Sequence, residues 1–344
     1  MFRDVVLQDT TPEEWPDIRG RIYNRVMSSM GTAPDVTVEP TYEVVEESER
    51  YGLRHWKIRY PVMPDDHGLA VIILPDEVDD SHPAPAVVIC HGTNDKRGKD
   101  SVMDLDYVER AYTIELAQRG FVTVAPDCYE FGERLTHGED LPDDEVRRRY
   151  IGSMERFIEE HPEWSLDGRR NWDHQRLLDV LGTMPFIRPG GYGVMGNSLG
   201  GRAAIFLAAL DARIAAAVPS CGISPNLTNV YRTVTGNPAS KSSPRWIDHF
   251  LGHGGEMLYE YQDMIALCAP RPLLLLDPFN DAYNPYVEAN FRCYVAGQRA
   301  YGLLGRPECF CTLTHGDGHD TVAEVREFAY RWFARWLTEP PAAP

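Results

Sequence analysis

The stretch that decides the reading of this chain is Gly191-Tyr-Gly-Val-Met-Gly196-Asn-Ser198-Leu-Gly200-Gly201, with the Ala-rich run that follows it to Leu210. Gly196 to Gly200 fits the pattern G-x-S-x-G. Tyr192 to Met195 has the marks of a strand, and Leu199 to Leu210 those of a helix. A serine on a tight turn between strand and helix is lifted above the sheet with its hydroxyl exposed. The flanking glycines are needed because such a turn leaves no room for side chains beside the nucleophile. The helix amino terminus behind it favours developing negative charge. Ser198 is the candidate nucleophile.

Two phosphate-binding patterns nearby fail on position. Gly191 to Gly196 matches G-x-G-x-x-G, but a dinucleotide site needs those glycines to follow a strand and open a helix. Here the strand lies inside the motif. Gly92 to Lys99 has one residue too many for a Walker A loop, and Asp100 stands where Ser or Thr should follow. No cofactor is expected.

Around the motif, strands alternate with helices. Ala86 to Cys90, Phe121 to Ala125, Ile214 to Val218 and Leu273 to Leu276 read as strands. The segments Asp106 to Gln118, Asn171 to Leu181 and Val322 to Leu337 read as helices. This alternation implies βαβ units and a mainly parallel twisted sheet with helices on both faces. Residues 1–80 differ, reading as an amphipathic helix with Trp15, Ile18, Ile22 and Val26 on one face. Three strands of an antiparallel edge follow, Glu43 to Glu47, Arg54 to Tyr60 and Gly68 to Leu74. The whole of 1–344 reads as one domain. Residues 131–170 and 223–262 interrupt the rhythm at the carboxyl ends of strands, where open α/β sheets bind ligands. They are expected to shape a pocket, with Phe157, Trp164, Tyr231, Trp246 and Tyr259 as aromatic candidates to line it or to pack the excursions onto the core.

The remaining site residues follow from strand ends. His91-Gly-Thr93 leaves the strand at Cys90, and its Thr93 amide could join that of Leu199 as an oxyanion hole. His91 itself reads as a brace for the loop. Two aspartates leave the strand at Leu276: Asp277 at its end, where the turn would hold it, and Asp281 further out, where it can reach an imidazole. Asp281 is preferred. Between His315 and His319, the latter is preferred as the base. It precedes Thr321-Val-Ala-Glu324, which reads as a capping box, and a helix carrying Val325, Phe328, Trp332, Phe333 and Trp336 on one stripe. This short glycine-rich loop lacks evident third and fourth ligands, so no metal is expected. The order Ser198, Asp281, His319 is that of α/β-hydrolase triads.

Composition bounds the partners. The net charge of −18 repels phosphate backbones, which weighs against nucleic acid and anionic membranes. No apolar run reaches the ~18 residues of a membrane span, and the acidic start does not read as a secretion signal. Seven cysteines without a CxxC pair read as reduced thiols in a cytoplasmic protein. A small-molecule substrate is expected, and a homo-oligomer is compatible with all of this.

Leu116-Ala-Gln-Arg-Gly-Phe-Val-Thr-Val-Ala-Pro-Asp127, Phe131-Gly-Glu-Arg134, Trp172-Asp173, Ala269-Pro-Arg-Pro272 and Gly318-His319 resemble the dienelactone-hydrolase and acetyl-xylan-esterase-like branch of the α/β-hydrolases. The resemblance covers roughly residues 50–337. It implies that fold and a carboxylic-ester hydrolase acting on a small or short-acyl ester. Dienelactone hydrolases carry a Cys nucleophile where this chain has Ser198. The deacetylases of the branch typically flank the Ser with Gln, where Asn197 and Leu199 stand here. The same triad would serve a peptidase or amidase, and a non-catalytic binding member of the fold is the third reading.

Overall fold

The computed structural model describes residues 4–106, 110–228 and 257–338. Most of the excursion 223–262, with Tyr231 and Trp246, lies outside the described residues. A nine-stranded sheet forms the centre, in the order β1-β2-β3-β5-β4-β6-β7-β8-β9. The strands are β1 Glu43–Arg50, β2 Leu53–Met63, β3 Asp66–Leu74, β4 Ala86–Cys90, β5 Val122–Pro126, β6 Tyr192–Asn197, β7 Ile214–Ser220, β8 Leu273–Pro278 and β9 Phe310–His315. β1, β2, β3 and β5 pair antiparallel, and every pairing from β5 onward is parallel. This is the α/β-hydrolase fold.

β4, β5, β6 and β8 are buried along their whole lengths, because helices cover both faces of the parallel part. That is why they read as continuous apolar runs rather than alternating ones. The first helix, α1 (Trp15–Met30), buries Trp15, Ile22, Val26 and Met30. α5 (Leu166–Leu181) and α6 (Leu199–Leu210) flank β6 in the chain. Tyr192 to Leu210 thus folds as its pattern predicts, strand then helix.

The excursion at 131–170 is helical, with α3 (Gly132–Thr136) and α4 (Asp143–Glu160). Val146, Tyr150, Met154 and Phe157 of α4 join Phe131, Trp164 and Leu166 in a separate apolar cluster, and Leu199 packs against it. Phe157 and Trp164 pack with tilted rings at 5.5 Å between centroids, and Tyr259 packs on Phe206 at 5.8 Å. These three aromatics are buried and pack the excursions onto the core.

Three expectations need correcting. The helix expected over Asp106 to Gln118 is described only as α2 (Tyr112–Ala117), with 107–109 outside the described residues. Thr321 does not cap the final helix α9 (Ala323–Phe333): its amino-terminal cap is Val322, without a side-chain bond, and the Thr321 hydroxyl turns inward. Phe328 is half outside that helix's buried stripe, at 39% exposed. Five strands and helices went unforeseen: α3, α4, α7 (Tyr261–Cys268), α8 (Val287–Leu303) and β9. β9 is an edge strand with all its residues half-buried, so it lacks an apolar run.

β4 lies between β5 and β6, so the chain leaves it first to one side and then to the other. Ligands of open α/β sheets bind at such a reversal, outside the carboxyl ends of the strands. The loops leaving β4, β6, β8 and β9 carry Thr93, Ser198, Asp281 and His319 respectively.

Candidate active site

Ser198 occupies φ +61° and ψ −119°, between β6 and α6. For a residue with a side chain this backbone costs of order 1–3 kcal/mol, and it persists only where its surroundings impose it. Here they do. A Cβ on Gly200 would land in the carbonyl of Cys90, and one on Gly201 in the carbonyl of Ser220. The turn is also fastened by the Ser198 amide donating to Ser220 O at 2.9 Å and the Arg202 amide donating to Ser198 O at 2.9 Å.

Asp281 and His319 meet as the strand ends place them. His319 Nδ1 lies 2.8 Å from Asp281 Oδ2. The other carboxylate oxygen, Oδ1, accepts the amides of Tyr283 at 2.8 Å and Asn284 at 3.3 Å. Burial works to raise the Asp281 carboxyl, but the His319 bond and these amides outweigh it and hold the group below its usual range. The carboxylate is thus ionised and oriented, and the hydrogen bond fixes the imidazole proton on Nδ1 and leaves Nε2 as the acceptor.

Asp277 behaves differently. It sits at the end of β8, fully enclosed, and accepts the hydroxyl of Tyr294. Burial pushes its carboxyl up to about 7. His315 is likewise engaged locally, with Nδ1 3.3 Å from Asp317.

His91 is buried and bridges two loops. Its Nδ1 donates to Gly92 O at 2.7 Å, and its Nε2 accepts the Cys128 amide at 3.0 Å. Burial holds it below its ordinary value, so it stays a neutral brace for the turn that carries Thr93. Among the described residues, neither the Thr93 nor the Leu199 amide donates to a protein carbonyl. Beside Leu199 lies a small cavity of about 20 Å³, whose walls include Cys128, His174, Ala203 and Phe206.

Sequence reasoning missed three groups. Asn197, fully buried next to Ser198, donates from Nδ2 to His319 O at 3.2 Å. Its Oδ1 accepts the hydroxyls of Ser220 at 3.1 Å and Thr321 at 3.2 Å. Arg110 pairs with Asp320 at 2.9 Å, and a Cβ on Gly92 would meet both its guanidinium and the Ser198 side chain. Tyr283 sets its ring 4.7 Å from that of His319. None of these has a motif, since each acts through a partner distant in sequence.

The residues behind the resemblance are structural. Lys99, fully buried, pairs with Asp127 at 2.9 Å and Glu133 at 2.8 Å, and Arg134 pairs with Asp173 at 2.6 Å. Arg271 donates to the carbonyls of Asp211 and Ile214, both at 2.8 Å, closing the turn between α6 and β7. The ammonium of Lys99 is thereby committed to two carboxylates rather than to a phosphate.

The model of the Abhydrolase family matches residues 4–306. YtaP of Bacillus subtilis (strain 168), which carries a provisional hydrolase name, is 26% identical over 269 residues, 74% of this chain and 79% of its own length. Among solved structures, a promiscuous CE15 esterase from the marine bacterial metagenome superposes with a TM-score of 0.70 at 16% identity, covering 98% of this chain and 97% of its own. The glucuronoyl esterase from Solibacter usitatus gives 0.68 at 14%, with 96% of each chain covered. Acetyl xylan esterase 1 from Thermoanaerobacterium sp. JW/SL YS485 gives 0.57 at 18%, covering 97% and 96%. At such identities the structural likeness establishes the fold. No helix among the described residues is long and apolar enough to cross a membrane.

Proposed function

Since this chain belongs to the Abhydrolase family, we propose that it is a serine hydrolase that cleaves a small or short-acyl carboxylic ester through an acyl-enzyme. The observation that carries the reading is the Asp281–His319 bond at 2.8 Å, made through Nδ1, on the loop that Asn197 ties to the Ser198 turn. That bond leaves Nε2 as the proton acceptor. His319 takes the Ser198 proton as the hydroxyl attacks the acyl carbon, and returns it to the departing alcohol. Asp281 holds the tautomer and stabilises the imidazolium. The Thr93 and Leu199 amides, which donate to no protein carbonyl among the described residues, are the donors proposed for the oxyanion. Water then attacks the acyl-enzyme by the same route in reverse.

The ester specificity is supported by the company of the fold: the superposable acetyl xylan and glucuronoyl esterases are carboxylic-ester hydrolases by name. The test is hydrolysis of p-nitrophenyl esters from acetate to octanoate by wild type and Ser198→Ala. Wild type should favour the short chains, and the variant should lose about 10⁴-fold or more of kcat while keeping its melting temperature. Wild type that hydrolyses none of them and resists fluorophosphonate labelling would overturn the reading.

A further inference from the structure

The Asp281–His319 pair has a third neighbour, contributed by another strand. Cys221 follows β7 in the left-handed region, at φ +49°, and its amide donates to Leu276 O at 2.8 Å. A residue with a side chain rarely adopts that backbone. The Cys221 Sγ, a carboxylate oxygen of Asp281 and a ring nitrogen of His319 all lie within 4.8 Å of one another. Thiolate, carboxylate and imidazole from three separate loops are the ligand types of a thiophilic divalent cation. A tetrahedral Zn²⁺ holds its donors roughly 3.3–3.6 Å apart, so Cys221 Sγ would move in by about an ångström while the Asp281–His319 pair opens slightly from 2.8 Å.

We propose that Cys221, Asp281 and His319 form an inhibitory site for Zn²⁺ or a cation of similar softness. The ion is bound by Cys221 Sγ, Asp281 Oδ2 and His319 Nδ1, with solvent as the fourth ligand. Binding releases the Cys221 thiol proton to solvent. The imidazole remains neutral, its proton moving from Nδ1 to Nε2, where it blocks acceptance of the Ser198 proton. No electron changes hands. Without the cation, burial keeps Cys221 as a thiol, so it does not compete as a nucleophile. The short loop holding His315 and His319 is not sufficient for this: the third ligand comes from β7, about a hundred residues earlier in the chain.

The inference stands on geometry and does not need the esterase reading, so its test has an arm free of turnover. Cd²⁺ titrated into the full chain should raise the ultraviolet cadmium–thiolate band to one equivalent. Cys221→Ser should abolish that band, and Cys221→Ala serves if the serine variant does not fold. In the second arm, Zn²⁺ should suppress p-nitrophenyl acetate hydrolysis by wild type and a chelator should restore it. Cys221→Ser should keep its turnover and need at least ~10-fold more Zn²⁺ for the same inhibition. A band that is absent in wild type or unchanged in the variant overturns the proposal, as does equal inhibition of both proteins. If wild type shows no esterase activity, the proposed function fails and the cadmium band alone decides this site.

Discussion

Asn197 donates from its side chain to the backbone carbonyl of His319 at 3.2 Å, so the residue preceding the proposed nucleophile also holds the loop of the proposed base. The two are 122 residues apart in the chain. The Asn197 amide group uses both ends: its oxygen accepts Ser220 and Thr321. A fully enclosed amide holding three such partners is costly to remove, because they are then left buried and unpaired.

Asn197→Ala should therefore lower both activity and stability. We expect kcat to fall about 10- to 100-fold, and unfolding free energy to drop by roughly 2–3 kcal/mol. Asn197→Asp would keep the acceptor and lose the donor, so it should damage the His319 loop more than the Ser220 contact. Steady-state kinetics and urea melts of the two variants separate these effects. Undiminished kcat in Asn197→Ala would show that the tie does not position the base.

The two aspartates after β8 should respond oppositely. Asp281→Asn should cut kcat by about 10⁴-fold, since the amide misassigns the His319 tautomer. Asp277→Asn should leave kcat within a few-fold, because Asp277 is bonded to Tyr294. Stability makes a further distinction. Asp277 has its folded-state value raised to about 7, above the ~3.9 of an unfolded chain. Its contribution is thus fully present below about pH 4 and is lost as pH rises toward about 7. Relative to Asp277→Asn, wild type should weaken over that window by about 1.4 kcal/mol for each pH unit the two values differ. Asp281 is depressed, so its contribution is present above the unfolded value and lost as pH falls. Melting curves of wild type and both variants from acid to neutral pH check the signs.

The Arg110–Asp320 pair joins the residue after His319 to a guanidinium packed on Gly92. Asp320 is half exposed, so the pair should add no more than about 1 kcal/mol to stability. Its larger effect should fall on turnover. Arg110→Gln and Asp320→Asn should each lower kcat about 5- to 10-fold, with the double variant no worse than either, as expected of one shared interaction. Additive losses would show that the two side chains act separately.

Lys99 is buried between Asp127 and Glu133, and a Cβ on Gly98 or Gly132 would strike the Asp127 carboxylate. Lys99→Met should destabilise by about 3–5 kcal/mol, because it strands a buried carboxylate. Adding Asp127→Asn should recover part of that loss, although the amide cannot replace both carboxylate contacts. Chemical denaturation of the single and double variants tests this, and a neutral Lys99→Met would contradict it.

Local signals carried the centre of the fold. Apolar runs marked β4 to β8 because helices bury both faces, and G-x-S-x-G marked the turn because its glycines are imposed by contact with Cys90 and Ser220 carbonyls. β9 and α8 were not legible: an edge strand wet on one side has no apolar run, and α8 mixes polar and aromatic residues. Thr321 misled for a related reason. Its S/T-x-x-E spacing fits a capping box, yet in the fold its hydroxyl finds the buried Asn197 and Ser220 instead.

The strand–helix rhythm, the tight turn at Ser198 and the short sets of acids and bases near strand ends are legible along the chain, because these depend on neighbours in sequence. Which of those groups meet depends on how the strands are ordered and packed. The Asp281–His319 bond, the burial of Asp277 against Tyr294, the tie from Asn197 and the approach of Cys221 all join residues from separate elements or the loops that follow them. Distances between such residues are set by sheet order and burial, which no local spacing encodes.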